Sequence, residues 1–117
     1  MNILITVAHP DDETIGMGGT IKKLSKNNEI TLCVMSDGAS AQYDDKKMIK
    51  VRQDACKKAG KILGISKFHF LNFPDMKLDS ISHVEMNKEL EKIIKKFNPK
   101  ILYSTSYNDL NKDHQKV

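Results

Sequence analysis

The chain has 117 residues, 39% of them hydrophobic and 29% charged, which is typical of one folded domain with a modest core. A formal charge of +4 and only 6% aromatic residues argue against a nucleic-acid partner, because the lysines lie along helix-like segments among acidic neighbours. No apolar run approaches the roughly 20 residues of a membrane span, no signal segment precedes the first strand, and neither cysteine has a ligand-like spacing, so we expect a cytoplasmic protein with reduced thiols.

The hydrophobic pattern predicts four strands that alternate with three helices. The strands are short apolar runs and the helices show a 3.6-residue apolar period. Gly64 and Asn98-Pro99 are predicted to end the second and third helices, with extended backbone before the proline. The predicted order is a strand over Asn2–Val7, a helix over Thr14–Asn27, a strand over Glu29–Met35, a helix over Met48–Leu63, a strand over Lys67–Leu71, a helix over Ile81–Phe97 and a strand over Lys100–Tyr103.

The apolar period also assigns side chains to the inner faces of the helices. We expect three sets of residues to face the sheet: Ile15, Gly18, Gly19, Ile21 and Leu24 from the first helix, Met48, Val51, Ala55, Ala59, Ile62 and Leu63 from the second, and Ile81, Val84, Leu90, Ile94 and Phe97 from the third. The glycines around position 18 are costly inside a helix, so we expect close packing against the sheet or a ligand there.

Alternating strands and helices predict right-handed crossovers and a mostly parallel sheet covered on both faces, a Rossmann-like three-layer α/β/α fold. Ligands of such folds bind outside the carboxyl ends of the strands. The predicted strand ends carry the unusual polar residues of the chain, so we expect the functional site at this edge. The four polar stretches are His9-Pro10-Asp11-Asp12, Ser36-Asp37-Gly38, Asn72-Phe73-Pro74-Asp75 and the segment from Ser104 to His114.

The stretch after the first strand has the composition of a metal site. His9 and Asp12 are three residues apart beyond the strand, and His114 follows the end of another strand. Two histidines and one carboxylate leave coordination positions open, as in catalytic zinc sites and non-haem iron sites. Asp11 is not needed as a ligand, and a carboxylate beside an attacking water can act as a general base.

Two other interpretations of this region stay under consideration. An acidic run before a helix is also typical of helix capping and of a favourable interaction with the helix dipole. His9 is followed by a proline, and an Asp-His sequence, Asp113-His114, ends a separate polar segment; both features favour a metal site over helix capping alone. Nucleotide binding is disfavoured, because Gly16-x-Gly18-Gly19 does not match the dinucleotide fingerprint and acidic residues crowd the turn.

The run Ala8-His9-Pro10-Asp11-Asp12-Glu13, followed by Gly16-x-Gly18-Gly19-Thr20, resembles the opening signature of the PIG-L/LmbE-like family of zinc-dependent N-acetylglucosaminyl deacetylases. Weaker similarities follow in the family's order. They are Ser36-Asp37-Gly38, Arg52 through Leu63-Gly64, Phe73-Pro74-Asp75 and Asp109-Leu110-Asn111-Lys112-Asp113-His114. The resemblance implies that residues 1–117 form a single domain corresponding to the N-terminal portion of a longer family domain, so we expect the fold to be truncated at its C-terminus.

The resemblance also implies residue roles. His9, Asp12 and His114 would bind zinc, with Fe2+ as an alternative metal, and Asp11 would be the catalytic base. Arg52 and Asp75 match positions implicated in sugar binding. Asn111 stands where some members carry a histidine offered as an oxyanion stabiliser, and we group it with the substrate-binding residues.

The implied reaction removes the N-acetyl group from an N-acetylglucosamine-containing small molecule or glycoconjugate, giving acetate and an amino sugar. The implied partner is that small-molecule substrate, and a homo-oligomer is compatible with the sequence. An amidase acting on another sugar or on a thiol conjugate and an inactive Rossmann-like binding fragment remain alternatives. An iron oxygenase is disfavoured because it would leave Asp11 without a task.

Overall fold

The alternation of strands and helices predicted from the sequence is present in a computed structural model, which describes residues 2–10, 12–36, 46–73, 82–104 and 117. The four strands form one sheet of order β3-β2-β1-β4, and each pair of neighbouring strands runs parallel. The elements are β1 (Asn2–Val7), α1 (Asp12–Leu24), β2 (Glu29–Ser36), α2 (Lys46–Leu63), β3 (Lys67–Phe73), α3 (His83–Phe97) and β4 (Ile101–Tyr103).

Successive side chains of β1 enter two apolar clusters on opposite faces of the sheet, because strand side chains alternate in direction. One cluster combines Ile5 with Ile21 of α1 and Cys56 of α2. The other combines Leu4 with Met86 of α3. Helices therefore cover both faces, and the expected three-layer α/β/α fold is confirmed.

The strand order reverses direction at β1. The chain proceeds from β1 to β2 and β3 on one side, and β4 then pairs with the opposite side of β1. In open parallel sheets, ligands bind at this kind of switch point, outside the carboxyl ends of the strands. The residues that follow β1 lie at this position.

The inner face of α1 differs from the one predicted. Ile15 is 80% exposed, and the stripe that faces the sheet repeats every four residues through Glu13, Met17 and Ile21. The prediction for Ile15 was wrong because a charged residue, Glu13, occupies the buried position. The helix is also kinked at Met17, whose backbone angles are φ −149° and ψ 26°. Around Gly16, no described atom lies within 4 Å of where a Cβ would be, so tight packing does not account for that glycine.

The inner face of α2 also differs from the prediction. Val51 and Ile62 are 54% and 73% exposed, whereas Cys56 and Gly60 are buried. A Cβ on Gly60 would overlap the ring of Phe68, so α2 approaches β3 closely here. The apolar period included Ala55, which is exposed, and left out Cys56 and Gly60, whose small side chains allow the close approach.

The predicted C-terminal ends of the second and third helices are confirmed, with one difference in backbone, whereas α1 ends at Leu24 rather than at Asn27. Gly64 follows α2 with φ +99°, the left-handed conformation that glycine adopts without strain. Asn98 ends α3 in the left-handed region, φ 45° and ψ 58°, rather than in the extended region expected before proline. On α3, Val84 is exposed and Met86 is buried, so the inward assignment of Val84 was wrong.

Both cysteines are buried, as expected, and no disulfide joins Cys33 to Cys56. Burial raises the pKa of the Cys33 thiol to about 12. Within the described ranges, none of the helices combines the length and apolarity that crossing a bilayer requires.

The Gly60→Ala variant is expected to lower the free energy of unfolding by up to about 2 kcal/mol, because its Cβ must displace the Phe68 ring. Overpacking costs about 1–3 kcal/mol, and alanine offsets roughly 1 kcal/mol of that through its higher helix propensity. Urea denaturation measures the difference. Gly19→Ala in α1 is the matched control: no described atom lies within 4 Å of its Cβ position, so its stability should equal or exceed that of the wild type. Wild-type stability of Gly60→Ala would contradict the packing.

Candidate active site

The polar turn after β1 is anchored to the sheet at its N-terminal end. Ala8 is fully buried, and its carbonyl accepts a 2.9 Å hydrogen bond from the backbone N–H of Ser36 at the end of β2. Pro10 is buried as well. These contacts fix the position at which His9 leaves the sheet and Asp12 begins α1.

His9 and Asp12 contact each other within this turn. The backbone N–H of His9 donates to Asp12 Oδ2 at 3.0 Å, and the backbone N–H of Asp12 lies 3.3 Å from the His9 carbonyl oxygen. The same Oδ2 lies 3.6 Å from His9 Nδ1. Both side chains are largely buried, at 13% and 17% exposure. The backbone therefore positions the carboxylate beside the imidazole.

The helix-capping interpretation describes part of this geometry. Asp12 reaches back to the N–H of His9 as the acidic residue of a capping box does, and its charge lies in the first turn of α1, where the helix dipole favours it. This interpretation accounts for Asp12 alone, because it gives no role to the imidazole of His9.

The same pair fits a metal ion. A histidine nitrogen and a carboxylate oxygen that bind one tetrahedral zinc at about 2.1 Å lie roughly 3.4 Å apart. The observed separation of 3.6 Å between His9 Nδ1 and Asp12 Oδ2 is close to that value. In the part of the chain that the structure describes, no group of three or more metal-binding side chains gathers, so the described residues offer two donors at this turn.

The structure brings together two of the seven predicted site residues. His9 and Asp12 are in contact, and Arg52 lies half-buried on α2. The other four are outside the described residues, and their roles stay predictions. They are Asp11, Asp75, Asn111 and His114.

The sequence analysis missed a buried polar contact next to Asp12. Cys56 Sγ donates to Glu13 Oε1 at 3.2 Å, and these residues are 2% and 1% exposed. Cys56 follows Arg52 by four residues on α2. The two side chains therefore lie on the same face of the helix, one turn apart. The four-residue spacing of Glu13 from Met17 is the sequence signal that could have placed Glu13 inward.

A cavity of about 160 Å³ opens beside Asp12 at the switch point of the sheet. Thr6 Oγ1 donates to the Tyr103 carbonyl at 3.4 Å, linking β1 to β4 along one wall. The volume accommodates several waters or a small polar group. The lining residues are Ile5, Thr6, Val7, Asp12, Glu13, Gly16, Met17, Tyr103 and Ser104.

Known proteins resemble this chain in both sequence and fold. The PIG-L family model, described as GlcNAc-PI de-N-acetylase, matches residues 4–117. Diacetylchitobiose deacetylase from Thermococcus kodakarensis is 33% identical over 105 residues, which cover 86% of this chain and 39% of that protein. The N,N'-diacetylchitobiose deacetylase structure from Pyrococcus horikoshii gives a TM-score of 0.87 at 30% identity, covering 98% of this chain and 45% of that one.

The fold itself is shared more widely than one reaction. The structure of GalB, a 4-carboxy-2-hydroxymuconate hydratase from Pseudomonas putida, gives a TM-score of 0.76 at 22% identity, covering 97% of this chain and 50% of that one. Since a fold can host different chemistries, the site residues must carry the argument for function. The chain spans about two-fifths to half of the length of these relatives.

In buffer with a chelator, Asp12→Ala is expected to lower the free energy of unfolding by about 0.5–2 kcal/mol, because the His9 N–H loses its acceptor at the start of α1. Asp12→Asn keeps a side-chain oxygen at this position and should lose less than about 1 kcal/mol. Urea titrations of the two variants measure the difference. Equal stability of Asp12→Ala and the wild type would contradict this local role.

Proposed function

Since the chain belongs to the PIG-L family, we propose that the protein is a metal-dependent hydrolase that removes the N-acetyl group from an N-acetylglucosamine-containing small molecule or glycoconjugate. The observation that supports this most directly is the contact between His9 and Asp12. It joins a nitrogen and an oxygen donor at 3.6 Å, beside a cavity at the switch point of the sheet.

We propose that His9, Asp12 and His114 hold the metal, which is zinc, with Fe2+ as the alternative. A metal bound by these residues supplies Lewis acidity toward a carbonyl oxygen and lowers the pKa of water. Asp12 Oδ2 accepts the His9 N–H, so this carboxylate is oriented before a metal arrives. Such outer hydrogen bonds raise affinity because less reorganisation accompanies binding.

Asp11 is proposed as the general base. Asp11 directly precedes Asp12 in the sequence and is two residues after His9. A carboxylate there can accept a proton from the water that attacks the acetamide carbonyl. Acetate and a free amino sugar are the products.

Arg52, Asp75 and Asn111 are proposed to bind the sugar. An arginine side chain offers five N–H donors, a carboxylate accepts from hydroxyl groups, and an amide does both. Arg52 lies one turn before Cys56 on the same face of α2, and Cys56 contacts Glu13 in the first turn of α1. This supports a position for Arg52 beside the proposed metal site.

The Asp11→Asn variant tests the proposed base. Acetate release from N,N'-diacetylchitobiose should fall about 10²–10⁴-fold, the usual contribution of a general base, while zinc affinity stays within a few fold of the wild type. Acetate is measured by a coupled assay and zinc by competition with a chromogenic chelator. Asp54→Asn, an exposed carboxylate on α2, is the matched control and should retain full activity. Full activity of Asp11→Asn would refute the assignment of the base.

The Asp12→Asn variant tests the proposed ligand separately from folding. Because an amide is a weaker ligand than a carboxylate, zinc affinity should fall by at least about tenfold. The zinc-dependent rise in melting temperature should shrink accordingly. Wild-type zinc affinity in a folded Asp12→Asn protein would show that Asp12 only starts the helix.

A further inference from the structure

The hydrogen bond from Cys56 to Glu13 is unusual for its surroundings. Both side chains are almost completely buried, and Cys56 belongs to the apolar cluster between the sheet and the helices. Burying a carboxyl group there is unfavourable unless it is hydrogen-bonded, so an apolar residue at position 13 would suit the core better. This polar contact therefore calls for a reason other than core packing.

The contact joins two turns that carry proposed site residues. Glu13 directly follows Asp12 in the first turn of α1. Cys56 follows Arg52 by one turn of α2. A bond of 3.2 Å between them therefore links the start of α1 to the segment of α2 that presents Arg52.

The rest of α1 only weakly constrains the position of that first turn relative to α2. The far end of α1 is tied to α2 by Lys22, whose Nζ donates to the Ile62 carbonyl at 2.8 Å. Between the two ends, Met17 has non-helical backbone angles and is flanked by Gly16 and Gly18. Kinks of this kind, with glycines beside them, weaken the coupling along a helix. The contacts of Ala8 and His9 hold that turn against the sheet, but the rest of α1 does little to fix its distance from α2.

We propose that the Cys56–Glu13 hydrogen bond is a positioning contact, which holds the first turn of α1, and with it Asp12, against the turn of α2 that directly follows Arg52. The proposal rests on the proposed function, in which Asp12 is a metal ligand and Arg52 binds the sugar. Cys56 acts through Glu13, by setting the spacing between the metal-binding turn and the substrate-binding helix.

Core packing is the competing explanation, because a buried cysteine often behaves as a small apolar side chain. The two explanations differ in what serine should do at position 56. Serine has a hydroxyl donor and less apolar volume than cysteine, so it restores a hydrogen bond but not the packing. Alanine removes the donor. Cys33 offers a matched control, because it is equally buried in the cluster on the opposite face of the sheet.

The experiment compares Cys56→Ala, Cys56→Ser and Cys33→Ala in the whole protein. Cys56→Ala should raise the zinc dissociation constant and lower kcat/KM for N,N'-diacetylchitobiose by about tenfold or more, the range for groups that orient a metal ligand. Cys56→Ser should recover most of both losses. Cys33→Ala should leave both quantities unchanged. Cys56→Ser behaving like Cys56→Ala, or Cys33→Ala showing the same losses, would overturn the proposal.

Amide hydrogen exchange, measured in the presence of a chelator, tests the contact in the absence of metal and substrate. Exchange in the first turn of α1 should accelerate in Cys56→Ala, relative to Cys33→Ala, and return toward the wild type in Cys56→Ser. Unchanged exchange in Cys56→Ala would overturn the positioning role. A wild-type protein that neither binds zinc nor releases acetate would instead refute the proposed function, and the exchange result would still decide the role of the contact.

Discussion

The burial of β1 on both faces is the constraint on which the rest of the structure depends. This strand pairs with β2 on one side and β4 on the other, and Ile3, Leu4 and Ile5 are essentially inaccessible to solvent. Charged groups in such a strand would lose their hydration without compensation. The ionisable residues of this segment therefore begin only where the strand has ended, at His9 and Asp12. Because β4 joins the sheet on the opposite side of β1 from β2, that point is also the switch point of the sheet.

The turn after β1 combines two physical roles in one pair of residues. The carboxylate of Asp12 satisfies the backbone N–H of His9 at the start of α1, and the same oxygen lies beside the imidazole. A helix start stabilises negative charge, which a cation would in turn neutralise. Local structure and the proposed metal chemistry therefore favour the same geometry. Since one fold can host different reactions, this donor pair carries more of the argument for function than the sheet does.

Helix faces were harder to predict than helices. The hydrophobic period located all three helices but placed Ile15, Val51 and Ile62 inward, and these residues are exposed. The inward positions belong instead to Glu13 and to small residues such as Cys56 and Gly60 on α2. A period computed from hydrophobicity ignores a buried charge and gives little weight to glycine, so these positions were misassigned. Other predicted inward residues do pack against the core, namely Ile21, Leu24, Leu63, Leu90, Ile94 and Phe97. Of the candidate site, the contact between His9 and Asp12 was predictable because they are only three positions apart in the sequence.

The sequence by itself determined the order of strands and helices, the end of α2 at Gly64, and the polar turn at the end of β1. These features depend on neighbouring residues, whose spacing sets backbone conformation and amphipathic pattern. Only the tertiary structure decided that β4 lies against β1, and that Cys56 reaches Glu13 across 43 positions of the chain. The physical reason is that contacts between distant segments depend on how the helices pack on the sheet. That packing follows from side-chain volumes and close approaches, such as Gly60 against Phe68, which a one-dimensional pattern does not contain.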